Sequence, residues 1–317
     1  MDPVVAFFIL GILARAIRSD LRMPEALYET LTIYLLLAIG LKGGMALAAD
    51  WQTKLLWQAL AVMAFGAALA AVAYPLLQRL VRLGAADAAS VAAHYGSVSV
   101  VTFAVGLNAL RSQGVEPEPE LTLFLALMEV PGILVGVLLA KRISGPDSGA
   151  PLGHSSWSGA LVEALRGKSV VLLLGGLAIG ALFGKQALAP IAPMFEHLFK
   201  GALALFLLEL GLIVAGKWPD IKNAGWRLAA FGVAFPVAAA MAGIGLGNAF
   251  GLSAAGAALL GTLGASASYI AAPAAMRVAV PQANPALGIA AALGITFAFN
   301  VAVGIPLYWR IATALGG

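Results

Sequence analysis

Four serines stand out. Ser97 and Ser99 lie in AAHYGSVSVVTFAVG (92–106), and Ser266 and Ser268 in TLGASASYIAAPAAMR (262–277). Each Ser-x-Ser pair sits beside glycine within a long apolar run. Glycine and serine weaken a helix, and in lipid a broken helix persists only where protein or a watery cavity covers its backbone. A break at each patch would start a half-helix inside the bilayer, with free N–H groups and the positive end of a helix dipole. Two such ends plus four hydroxyls suit a small anion, and the carbonyls freed by the breaks suit a hard cation such as sodium. Close helix packing is the other use of Gly, Ala and Ser in membranes. Matched placement of the two patches in the two halves of the chain favours binding.

Other polar residues lie in equally apolar surroundings. Glu129, in LALMEVPGILVG and followed by Pro131, is a carboxylate inside a span, which is costly and functional by default unless the span ends before it. Thr296 and Asn300 fall in the last apolar stretch and either coordinate a cation or bridge helices. Thr102 and Asn108 follow the first serine patch and Thr262 precedes the second. Thr102, Glu129, Thr262, Thr296 and Asn300 form the candidate sodium set. Glu209 lies on a helix expected to belong to a scaffold. His94, beside Tyr95, reads as a hydrogen-bonded packing residue before it reads as a proton carrier.

The elements that must carry these residues are membrane helices. Of the 317 residues, 61% are apolar and 11% charged, and the mean hydropathy is +0.95. A helix needs roughly 20 apolar residues to cross the hydrocarbon core. The pattern predicts an all-α polytopic membrane protein of about ten spans, near 3–18, 25–48, 55–80, 86–110 and 120–140, then 168–184, 191–216, 224–250, 253–280 and 285–310. The N-terminal stretch carries its arginines after its apolar run, so it reads as a retained span and not a signal peptide. The isoelectric point of about 9.4 does not imply a nucleic-acid partner, because no basic cluster is interleaved with aromatics. There is no cysteine. No Walker A loop, H-E-x-x-H or Cys/His spacing occurs, so no cofactor is expected and energy would come from an ion gradient.

The cations orient the spans. Connections after odd-numbered spans hold thirteen Lys and Arg, from Arg15 to Arg277, while the opposite side holds Lys54, Arg111, Lys185 and Arg310, with Lys42 and Lys200 unassigned. Positive-inside bias puts the polar 141–167 linker in the cytoplasm and both termini outside, in a bacterial inner membrane. The linker separates residues 1–140 from 168–317, and these halves resemble each other. Gly40 matches Gly211, Ser97 and Ser99 match Ser266 and Ser268, Gly136 matches Gly304, and Arg142 matches Arg310, at offsets of about 168 to 171. Five spans per half is odd, so the second copy enters from the opposite side. This predicts an inverted five-helix repeat, with broken helices crossing at the midplane.

MPEALYETLTIYLLLAIGLKGGMAL (23–47), GASASYIAAPAAMR (264–277) and PQANPALG (281–288) resemble the sodium-dependent bicarbonate transporter family of cyanobacteria and other bacteria. The resemblance covers nearly all of both halves. It implies a homotrimer of ten-helix protomers, each with a mobile core and a gate domain drawn from both repeats, and an elevator-like movement. By position it implies that Gly96, Ser97, Val98 and Ser99, with Ala265, Ser266, Ala267, Ser268 and Tyr269, contact bicarbonate. Glu129 stands where the family favours an acidic residue. In some members a soluble PII-like partner acts at the cytoplasmic face. The chain departs from the cyanobacterial type in two places: Tyr269 stands where an aspartate is usual, and the central linker is shorter. The expected function is sodium-coupled bicarbonate import. A symporter of another small organic anion is the nearest rival, and a non-transporting membrane receptor or scaffold the rival of a different class.

Overall fold

The computed structural model describes residues 3–49, 54–143, 162, 165–219 and 225–315. Every regular element among them is helical, because a helix satisfies its own backbone where water is absent. The first half folds into α1 (Pro3–Ala16), α2 (Glu25–Ala49), α3 (Leu55–Leu76), α4 (Ala85–Gly96), α5 (Val100–Arg111), α6 (Glu120–Met128) and α7 (Pro131–Ile143). The second half folds into α8 (Lys168–Leu188), α9 (Ala192–His197), α10 (Phe199–Gly216), α11 (Gly225–Ala249), α12 (Ala254–Gly264), α13 (Ala271–Ala279), α14 (Pro285–Ile289) and α15 (Ile305–Leu315). A π-helical turn, Leu77–Val81, prolongs α3, and π-helical stretches at Ala290–Phe297 and Asn300–Gly304 lie between α14 and α15.

Eight helical stretches among the described residues are long and apolar enough to cross a membrane. Each coincides with a predicted span. The first and ninth predicted spans hold the shorter apolar helices Pro3–Ala16 and Ala254–Gly264. Two local differences from the predicted pattern matter. The seventh span, expected from 191, divides at Leu198 into the short α9 and the long α10. The fifth divides at Glu129, where Pro131 lacks the N–H that would continue the ladder and serves as the first residue of α7. Of the predicted 141–167 linker, residues 144–161, 163 and 164 lie outside the described residues.

Small residues decide which helices meet. α2 runs along α8 and α1 along α10. A Cβ placed on Gly40 would lie 3.0 Å from the Cα of Gly176, and one placed on Gly211 would lie 3.0 Å from the Cα of Gly11. Helices approach that closely only where a side chain is missing. Elsewhere α3 packs on α4 and α4 on α7, while α11 packs on α12 and α12 on α15. The pairings in one half therefore have counterparts in the other. The broken spans occupy the centre, with every residue from Ala88 to Asn108 and from Ala255 to Ser268 buried. Such continuous burial is possible because these segments are rich in Ala, Gly, Ser and Val, small enough to be surrounded on all sides.

Candidate functional site

The first break opens where α4 reaches Gly96. Ser97 (φ −104°, ψ 166°) and Ser99 (φ −111°, ψ 115°) are extended, and the chain resumes as α5 at Val100. The cause is a backbone contact. Gly132, at the start of α7, nests against the Gly96 carbonyl and the Ser97 nitrogen so closely that any Cβ there would collide with both. The Ser97 hydroxyl donates to the Glu129 carbonyl at 2.8 Å, serving an acceptor at the end of α6 where intrahelical donors run out. Ser99 caps α5, its hydroxyl accepting the Thr102 N–H at 3.2 Å.

The second break runs from Ala265 to Ile270, between α12 and α13. The Ser266 hydroxyl donates to the Leu263 carbonyl at 2.8 Å and accepts the Ser99 N–H at 2.9 Å. The Ser268 hydroxyl accepts the Ala272 N–H at 3.2 Å. The Ser268 N–H donates to the His94 carbonyl at 2.8 Å, and His94 Nδ1 returns a bond to the Ser268 carbonyl at 2.6 Å. The two breaks are thus laced together. All four serines and His94 are at most 3% exposed. His94 is a brace between the half-helices, as its packing reading expects.

Of the nine residues proposed for the anion, Gly96, Ser97, Val98 and Ser99 form the first break, and Ala265, Ser266, Ala267, Ser268 and Tyr269 belong to the second. Tyr269 sets its ring against Phe297, with centroids 5.6 Å apart. Its hydroxyl faces the Ser99 side chain, yet the geometry there falls short of a hydrogen bond and that buried oxygen has no partner.

The sodium candidates are dispersed. Thr102, 1% exposed, has a hydroxyl with no partner. Thr262 donates to the Ala258 carbonyl at 2.9 Å and lies where α12 crosses α5 at Gly106. Glu129, 2% exposed, sits at the interruption between α6 and α7. It therefore lies in the interior and not at a span end. Thr296 donates to the Gly232 carbonyl at 2.7 Å and accepts from the Tyr95 hydroxyl at 2.7 Å. Asn300 donates to the Ala265 carbonyl at 2.8 Å and accepts from the Tyr308 hydroxyl at 2.8 Å. These last two bridge helices in this structure from π-helical stretches, Thr296 joining α11 to α4 and Asn300 reaching the second break at Ala265. No group of three or more His, Asp or Glu converges as a metal site among the described residues.

Two cavities, of about 610 and about 680 Å³, flank the Arg111 end of α5. Phe103, Lys42 and Lys185 line the first, and Gly106, Thr262 and Arg310 line the second. Neither reaches a serine of the breaks. On the opposite side, a cavity of about 70 Å³ lies beside His94 and Arg277. The centre is thus closed from both sides, with hydroxyls and N–H groups gathered at one crossing. The sequence reading missed the Gly96–Gly132 contact, although the Pro-Gly pair after Glu129 signals a break, and it left Lys42, which lines the first cavity, without a side.

Compared with known protein families, residues 3–313 match the model of the Na+-dependent bicarbonate transporter superfamily, and the chain belongs to that superfamily. No curated protein matches it.

Proposed function

From membership of a sodium-dependent bicarbonate transporter superfamily, we propose that the chain is a symporter that imports bicarbonate with sodium by alternating access. It is a carrier and not an enzyme. The observation that carries this reading is the pair of broken spans joined through Ser99, Ser266, Ser268 and His94, a crossing of half-helix ends at which an anion meets N–H donors.

The closed crossing corresponds to an occluded state. Loading exchanges bonds between the breaks for bonds to bicarbonate, so that Gly96 to Ser99 and Ala265 to Tyr269 become its contacts. Sodium takes oxygen ligands nearby, from Thr102, Glu129 and Thr262 and from carbonyls of the breaks. Thr296 and Asn300 adjoin that site through the Tyr95 and Ala265 bonds described above. Bound sodium offsets the Glu129 charge and completes an electropositive pocket, which makes anion binding depend on the cation.

The counterpart packings of the two halves support an inverted repeat of ten spans, with 1–140 and 168–317 as the repeats. α1, α2, α8 and α10 then form the gate, and the broken spans with their neighbours form a core that slides as an elevator. Positive-inside bias puts the termini outside a bacterial inner membrane. A homotrimer and a PII-like cytoplasmic regulator follow from the family resemblance.

The test is uptake of labelled bicarbonate into proteoliposomes with and without an inward sodium gradient, with small carboxylates as competitors. Sodium-dependent uptake that carboxylates leave alone is expected. Uptake indifferent to sodium, or transport of a carboxylate in place of bicarbonate, overturns the reading.

A further inference from the structure

A lysine inside a membrane-spanning helix has to be accounted for. Lys42 lies on α2 about two turns before its Ala49 end, in a span of mean hydropathy 1.8 that is otherwise strongly apolar around it. A cation at such a depth is costly and ordinarily marks a polar route through the protein. Its neighbours in sequence are committed to packing. Gly43 presses on Thr122 of α6, and Gly44 presses on Leu177 of α8. Lys42 is left on a third face of α2, half-buried, lining the cavity of about 610 Å³.

Three cations and three carboxylates line that cavity, and they are unevenly paired. Arg111, Glu116 and Glu196 are the charged groups that act on Lys42, and Lys185 and Glu118 share the wall. Arg111 is paired with Glu116 through a two-pronged contact. Glu118 is turned to the start of α12, where its carboxylate accepts the Ser253 N–H at 2.5 Å and the Ser253 hydroxyl at 3.1 Å. Among the described residues neither Lys42 nor Lys185 has a carboxylate within ion-pairing distance. Lys42 and Lys185 therefore stand without an ion pair, while of the two remaining carboxylates Glu118 is engaged by Ser253 and Glu196 is exposed. The cavity reaches Phe103, one helical turn beyond Ser99 on α5.

We propose that this cavity is a separate anion-binding vestibule, in which Lys42 and Lys185 hold a small monovalent oxyanion one turn away from the broken-helix crossing. It rests on the transport reading only for its purpose, which is to raise the local concentration of substrate before the crossing opens. Two lysine ammonium groups with no carboxylate of their own offer the anion direct charge-assisted hydrogen bonds there. A vestibule of this kind needs no sodium, whereas the crossing does, and this separates the two sites experimentally.

The experiment follows ¹³C-bicarbonate line broadening by the full-length protein in detergent, in a sodium-free potassium buffer. The variants are Lys42→Gln, Lys42→Arg, Lys185→Gln and Ser268→Leu. Saturable sodium-free binding is expected for the unaltered chain, weakened roughly tenfold by either lysine-to-glutamine change. Lys42→Arg is expected to restore it, and Ser268→Leu to leave it intact. Absence of sodium-free binding, indifference to Lys42→Gln, or loss of binding in Ser268→Leu overturns the proposal. Lys42→Arg as weak as Lys42→Gln also overturns it, since that marks a packing role. Failure of the unaltered protein to take up bicarbonate in proteoliposomes overturns the symport reading instead, and leaves the vestibule to be judged on binding.

Discussion

The backbone N–H of Ser99 donates to the hydroxyl of Ser266 at 2.9 Å, so the first residue ahead of α5 is held by the second break, two residues past the end of α12. The bond joins residues 167 apart in sequence and uses a donor that a bound anion would need. A second tie, from the Ser268 N–H to the His94 carbonyl, uses the equivalent region of the other half. The donors of the crossing are therefore occupied by the protein's own hydrogen bonds. If an anion binds there, it exchanges these bonds for bonds to itself, and a buried donor left without either would cost about 1–3 kcal/mol.

Ser99→Leu and Ser268→Leu each remove one hydroxyl from the crossing and add three carbons where exposure is 3% or less. Uptake of labelled bicarbonate is expected to fall to background in both. Gel filtration and helical circular dichroism are expected to match the unaltered protein, because each hydroxyl serves only the first turn of one half-helix and the long spans around the crossing do not use it. Normal uptake by either variant would remove the crossing from the mechanism.

Glu129→Gln keeps the size of a side chain that is 2% exposed and deletes its charge. If the carboxylate helps hold sodium, the sodium concentration for half-maximal uptake rises, by roughly tenfold for one lost charge-assisted ligand. Maximal uptake at saturating sodium is expected to change less. An unchanged sodium dependence rules out this role.

The spans and both serine patches were legible because hydropathy and helix-weakening residues are local properties. The interruption at Glu129 was only half legible. Pro131 and Gly132 advertise a break, but that Gly132 would seat on the Gly96 carbonyl depends on how α7 crosses α4, which is tertiary. The roles of Thr296 and Asn300 were open between coordination and bridging for the same reason. Their partners, Gly232 with Tyr95 and Ala265 with Tyr308, come from other elements, and the π-helical stretches that hold Thr296 and Asn300 are not revealed by periodicity. Lys42 was set aside as a cation of uncertain side, since only the packing of Gly43 and Gly44 shows which way its helix faces.

Gly132→Ala tests that tertiary contact. The added methyl collides with backbone atoms of Gly96 and Ser97, which cannot rotate away as a side chain would. Overpacking of this kind costs about 1–3 kcal/mol. A lower thermal midpoint in detergent is expected together with reduced uptake, because the shifted backbone is the one that carries Ser97. Uptake and midpoint both unchanged would show that the two helices part easily there.

The paired helices offer the sharpest test of the repeat. Gly40 meets Gly176 and Gly211 meets Gly11 at the same 3.0 Å separation, counted from the Cβ each would gain. Gly40→Leu and Gly211→Leu should therefore do equivalent damage, one by prising α2 from α8 and the other by prising α10 from α1. Both variants are expected to lower the thermal midpoint by a similar amount, with a control at Gly175, where an added Cβ meets nothing within 4 Å, close to the unaltered value. If the two are only structural, uptake per folded molecule stays normal in both. If these four helices form the fixed gate against which the core slides, uptake falls in both, in step with the loss of packing. Damage confined to one of the pair would mean that the two halves, alike in sequence spacing, do not share the load of the scaffold alike.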